Sequence, residues 1–157
     1  IQKMGASATL IAQTPLPAGL NGYFVPPTAF AIKSIKELTR EVFGPILHVI
    51  RFAAKDRDQV LAEINGTGFG LTFGLHSRLK GTAEAVANRI DAGNIYVNRS
   101  MIGAVVGVQP FGGMGLSGTG PKAGGPYYLH RFATEKVVSV NTTATGGNIA
   151  LISSIED

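Results

Sequence analysis

The chain reads as an α/β protein in which helices cover parallel strands. Short β-branched runs alternate with helical repeats through residues 46–98, and glycine stands at most of the junctions between them. A content of 45% hydrophobic against 15% charged residues is enough to bury a core, and 157 residues is the length of one ordinary domain.

Residues 46–52 are a short apolar run and read as a strand. Asp56 then stands as an acidic N-cap with Gln59 three residues on. Val60, Leu61 and Ile64 fall on one face of the helix that follows, and Gly66 and Gly68 stop it. Residues 71–76 are the next strand. Thr82 caps a second helix, whose Ala83, Val86, Ala87 and Ile90 recur at i, i+3, i+4 and i+7, and Gly93 suits the left-handed residue that closes it. A third strand, 94–98, follows directly. Strand, helix, strand, helix, strand with joints this short predicts parallel βαβ crossovers. Ahead of this block, Pro15, Pro17, Pro26 and Pro27 break up strand-like pieces at 8–12 and 23–25, which read as extra strands of the same domain. After it, residues 103–125 are dense in glycine without a helical period, so they read as a long ordered loop of the kind that carries function. Residues 135–141, with Val137, Val138 and Val140, read as a terminal strand that must pair with something. A small polar tail from residue 142 and an apolar patch at 149–152 complete the chain. The division expected is a body over 1–134 and a strand with its tail over 135–157. There is no internal repeat.

Composition excludes several function classes. The 14 basic and 10 acidic residues leave a net charge of +4, but the cations are scattered, without the block or aromatic interleaving of a nucleic-acid face. No apolar run approaches the ~20 residues of a membrane span, and residues 1–5 lack the layout of a signal peptide. A soluble, cytoplasmic protein is expected. There is no cysteine, which removes disulfides, thiolate metal sites and thiol catalysis together. His48, His76 and His130 sit far apart with no paired ligand spacing, so no metal is expected. Asn-x-Ser/Thr matches at Asn65, Asn98 and Asn141 have no secretion signal to give them meaning. The absence of a starting methionine, with a strand-like run almost at once, fits a piece of a longer polypeptide.

Two stretches carry chemistry. Glu41-Val42-Phe43-Gly44-Pro45 sets an acid and an aromatic ring two residues apart at a turn, where Pro fixes φ and Gly permits unusual angles. Glu41 there suits a general base, an acceptor for sugar hydroxyls, or simply a solvated turn acid beside a core Phe. Gly113-Met114-Gly115-Leu116-Ser117-Gly118 satisfies the G-x-G-x-x-G pattern, but Gln109-Pro110-Phe111-Gly112 precedes it and Gly120-Pro121 forbids an immediate helix. It therefore does not read as a dinucleotide loop. Nor is it a nucleophile elbow, because Thr119 stands where the closing glycine belongs. A backbone-lined pocket suits it better, with glycine N–H groups forming a nest for an anion such as a carboxylate.

Glu41 to Pro45 resembles the Glu-Ile/Val-Phe-Gly-Pro motif of aldehyde dehydrogenases, and Gln109 to Gly118 resembles their Pro-Phe-Gly-Gly-x-x-x-Ser-Gly segment. The continuation Ser117-Gly-Thr-Gly-Pro-Lys-Ala-Gly-Gly-Pro126 is similar to the subset that oxidises glutamate γ-semialdehyde. Asn98 to Gln109 resembles the bifunctional proline utilization A proteins, in which a proline dehydrogenase half is joined to such a module. The resemblance spans nearly the whole chain and matches the last third of the dehydrogenase module. It implies that Glu41 accepts bonds from the ribose next to nicotinamide of NAD and that Phe43 lies against that end of the cofactor. It gives Gly124 and Gly125 the substrate's α-carboxylate, and Phe132 the substrate chain. It also implies that the nucleophilic cysteine, the oxyanion-hole asparagine, the general base and most of the NAD-binding domain precede Ile1, so no catalytic residue is expected here. FAD would belong only to a proline dehydrogenase half. Further expectations are homo-oligomerisation through 135–141 and packing against the remainder of the module. A non-catalytic assembly module and a dehydrogenase for another aldehyde stay open as alternatives.

Overall fold

A computed structural model describes residues 1–105 and 107–141. The expected apolar patch at 149–152 and the tail from 142 lie outside the described residues.

The chain starts with a short helix, α1 (Gln2–Ser7), that sequence periodicity does not announce, and passes into β1 (Thr9–Gln13). β2 (Thr28–Ala31) pairs antiparallel with β1 and parallel with β3 (Ile46–Val49), so the three strands lie in the order β1-β2-β3. The expected strand at 23–25 is not formed; Pro26 and Pro27 follow it without N–H groups to give, and pairing begins only beyond them. Thr28 pins that start, its hydroxyl donating to the Pro26 carbonyl at 2.8 Å and accepting from Gln13 Nε2 at 3.0 Å. Phe30 and Ile32 are the buried apolar residues of this sheet.

The connection from β2 to β3 holds a capping motif that the sequence reading passed over. Ser34 Oγ accepts from the Lys36 N–H at 3.2 Å, and Glu37 Oε1 accepts from the Ser34 and Lys33 N–H groups at 3.1 and 2.8 Å. Together they set a 3-10 turn at Ile35–Glu37.

α2 (Arg57–Asn65) follows β3, then β4 (Phe69–Gly70), β5 (Thr72–Leu75), α3 (Lys80–Ala87) and β6 (Asn94–Val97). β5 and β6 pair in parallel from Thr72↔Asn94 to Leu75↔Val97, which makes β5-α3-β6 one closed βαβ unit. The other expected crossover does not close: β3 pairs with β2, and no ladder joins it to β5. Leu61 and Ile64 of α2, Val86 of α3 and Ile90 just beyond it meet Phe73, Leu75 and Ile95 in the main core. The periodicity placed those residues correctly because helix and strand spacing put each set on one face.

The caps differ from expectation. Asp56 is at the N-cap of α2 but its carboxylate caps nothing, and Gln59 bonds Glu63 at 3.1 Å instead. α3 begins at Lys80, two residues before Thr82, with Leu79 at its N-cap; Ser77 Oγ accepts from the Leu79 N–H at 3.1 Å just ahead of it. Gly93 is not a left-handed helix end, since α3 stops at Ala87 with Asn88 as its cap. Its lack of a side chain serves close approach, because a Cβ there would run into the Gly112 carbonyl.

Residues 135–141 form no ladder within the described chain, and Val137, Val138 and Val140 are exposed.

Candidate functional site

The Glu41 motif sits where the chain turns into β3. The Ile46 N–H donates to the Gly44 carbonyl at 2.9 Å across Pro45, a three-residue turn, and the Thr28 N–H donates to the Pro45 carbonyl at 3.0 Å, which hands the chain to the sheet. Gly44 itself has an ordinary φ, and a Cβ on it would meet nothing within 4 Å. The turn is therefore Pro45's work, and folding of the described chain does not require the glycine.

Glu41 lines a groove of about 1210 Å³ together with Leu38, Arg40, Ile46, His48 and Phe69. Lys36 and Glu63 also line it and pair at 3.6 Å. Phe43 is not part of this lining; its ring is 90% exposed. The groove thus holds a carboxylate that can accept from hydroxyls, and an exposed aromatic ring stands two residues away in sequence.

The glycine loop is tied to β4 and β6. β7 (Met114–Gly115) pairs antiparallel with β4, with Phe69 opposite Gly115, and the Leu116 N–H donates to the Gly68 carbonyl at 2.9 Å. Ser117 Oγ accepts from the Gly70 N–H at 3.1 Å. Asn94, buried on β6, donates through Nδ2 to the Pro110 carbonyl at 2.9 Å and accepts the Gly112 N–H on Oδ1 at 3.0 Å. The loop narrows to a neck where Phe111 and Ala123 exchange two backbone bonds of 3.0 and 2.9 Å.

Much of the glycine content is explained by packing. A Cβ on Gly113 would strike Ser117, one on Gly118 would strike the Gly113 backbone, and Gly115 has φ +59 against the Gly68 carbonyl. The G-x-G-x-x-G match is thus a tightly folded turn, with no helix opening at its end.

Gly124 has φ +70, so it holds a left-handed conformation that favours glycine. No group among the described residues accepts its N–H. The Gly125 N–H donates to the Lys122 carbonyl at 2.9 Å, which closes a turn around Gly124. Phe132 ends a 3-10 turn at Leu129–Phe132, packs edge-on against Tyr128 with centroids 5.5 Å apart and is 74% exposed. Arg131 ties that turn to the loop by donating to the Thr119 carbonyl at 3.3 Å. Gly124, Gly125 and Phe132 therefore come from one continuous structure. The groove that Glu41 lines includes none of them.

The sequence reading missed Asn94 and Lys122, which hold the loop. Each left a signal: a polar residue at an inward position of a strand, and a single cation inside a glycine-rich run. Among the described residues, no cluster of side chains is set to hold a metal ion, and no helix is long and apolar enough to cross a membrane.

The profile of the aldehyde dehydrogenase family matches residues 2–138. The chain is 62% identical over 117 residues to the bifunctional protein PutA of Rhizobium meliloti, which takes in 74% of this chain and 10% of that protein. In structure it is similar to a variant of the proline utilization A protein of Bradyrhizobium japonicum, with a TM-score of 0.82 and 56% identity over 91% of this chain and 14% of the other. A 1-pyrroline-5-carboxylate dehydrogenase from Thermus with NAD bound gives a TM-score of 0.71 and 40% identity over 82% of this chain and 25% of that one. The chain thus spans about a tenth of the length of the PutA relative and about a quarter of the Thermus enzyme.

Proposed function

The chain belongs to the aldehyde dehydrogenase family, and from that premise we propose that it is the C-terminal part of an NAD-dependent dehydrogenase that oxidises glutamate γ-semialdehyde to glutamate in proline catabolism. The observation that carries this reading is the identity of 62% to PutA over three quarters of the chain. The 40% shared with the Thermus enzyme supports the same chemistry, and the NAD bound to that relative supports the cofactor.

In this function Glu41 accepts from the ribose hydroxyls of NAD and Phe43 covers the neighbouring ring. The cofactor would supply the hydride acceptor. The free N–H of Gly124, with that of Gly125, takes the α-carboxylate of the substrate, and Phe132 packs on its carbon chain. Gly125 meets that role only if its bond to the Lys122 carbonyl is shared or exchanged. Residues 1–134 form the wall of the active site, and 135–141 pair as a strand between copies that assemble in the cytoplasm. The exposed valines of 135–141 support that last role. If a proline dehydrogenase half is attached, its FAD lies outside this segment.

A thiolate must attack the aldehyde before hydride leaves, and this segment has no cysteine. The segment alone, given NAD and semialdehyde, is expected to form no NADH above background at 340 nm, while the complete dehydrogenase that contains it does. Turnover by the segment, or none by the complete protein, refutes the proposal.

A further inference from the structure

A carboxylate anchor made of backbone amides works only if those amides are held still, because glycine has the most freedom to lose. We infer that Lys122 is the residue that positions the Gly124–Gly125 anchor; this rests on the reading of that anchor given above.

Lys122 grips the loop at both of its own ends. Its ammonium donates to the Gly112 carbonyl at 2.7 Å, and its backbone carbonyl accepts the Gly125 N–H at 2.9 Å. The Gly112 peptide is in turn held from the sheet, since Asn94 on β6 takes its N–H. A continuous path therefore runs from buried Asn94 on β6 through Gly112 to Lys122, and from Lys122 to the turn that carries Gly124 at φ +70.

Gly93 leaves room at the tip of this lysine: a Cβ there would come within 2.8 Å of Nζ, besides striking the Gly112 carbonyl that Nζ bonds. Bare loop packing does not call for an ammonium at that spot, where a methionine of similar length would fill the space. What the ammonium adds is a charge-assisted bond that fixes the neck of the loop on the side of the anchor.

The test uses the complete dehydrogenase. Lys122→Met is expected to raise KM for glutamate semialdehyde about tenfold, the order that follows from losing one hydrogen bond to a charged group, and to weaken inhibition by glutamate by a similar factor. kcat and the KM for NAD stay within about twofold. KM for pentanal, which has no carboxylate to anchor, is unchanged, and Lys122→Arg, which keeps a donor, recovers most of the loss. Equal losses on pentanal and semialdehyde, or no loss on either, overturn the assignment. Lys122→Gln, with an N–H on a shorter stem, serves if the methionine variant does not fold, and an unchanged KM in it also counts against Lys122. Wild-type enzyme indifferent to glutamate would remove the anchor reading itself, whereas wild type inhibited by glutamate and Lys122→Met inhibited equally would remove only the role of the lysine.

Discussion

The β5-α3-β6 unit and the β1-β2-β3 sheet handle their apolar residues in opposite ways. In the first, Val86 and Ile90, with Leu61 of α2, close over Phe73, Leu75 and Ile95, while the Asn94 side chain ties the glycine loop to β6 and Lys122 ties the loop to itself. In the second, Phe30 and Ile32 are buried, but Leu10, Ile11 and Leu47 are exposed, as are Val42, Phe43 and Phe52 in the segments flanking β3. Apolar surface left open on this scale marks an interaction face. The contrast teaches that the two ends of the proposed site are built differently: the proposed substrate loop is held by hydrogen bonds within this chain, whereas Glu41 and Phe43 stand beside exposed apolar side chains.

The largest expected effect separates the two sheets by core truncation. Leu61→Ala should lower the unfolding free energy of the chain by about 2–5 kcal/mol in urea titrations, while Leu47→Ala on exposed β3 should cost under about 0.5 kcal/mol. Similar losses at the two sites would mean that the outer sheet is already covered, and the contrast would fall. Next come the glycines. Gly113→Ala forces a methyl into Ser117 and should cost about 1–3 kcal/mol, whereas Gly44→Ala meets open space and should leave the melting temperature nearly unchanged. In the complete enzyme, a rise in KM for NAD in Gly44→Ala without a shift in melting would tie that glycine to the cofactor and sharpen the distinction.

Asn94→Ala strands the Pro110 carbonyl and the Gly112 N–H, and should cost about 1–2 kcal/mol, with faster amide exchange at Gly112 than at β2. The smallest effect concerns Asp58, whose carboxyl is held below its usual range by the hydrogen bond from Arg89 at 2.7 Å, aided by Arg57. A depressed carboxyl pKa stabilises the fold above the unfolded value of 3.8, and that contribution fades as pH falls through the folded pKa. The pair is exposed, so Arg89→Ala should flatten the acid limb of the stability curve only slightly, and added salt should erase the difference.

Where helix and strand periodicity met a buried face, the reading from residues alone found the right side chains: Leu61, Val86 and Ile90 are the core, and 71–76 and 94–98 contain β5 and β6. It was less good at ends. Thr82 and Gly93 have residue types that favour caps, but Ser77 lies near the true start of α3, and Gly93 answers to the backbone of Gly112, nineteen positions away. The site was half legible. Its motifs stood out as strings, yet nothing local said that Glu41 would line a groove without Phe43, that the Gly125 N–H would already be bonded, or that Lys122 would reach Gly112.

Amphipathic spacing and turn residues are properties of neighbours along the chain, so the sequence by itself determined the α/β class and the main core. Strand partners, the reason for each glycine and the clasp on the loop depend on groups far apart in the chain. Backbone bonds and hard-sphere contacts are indifferent to sequence distance and act only once the chain has closed on itself. Those were decided by the tertiary structure alone: β3 chose β2 over β5, and Gly93 became the gap that admits the Gly112 carbonyl.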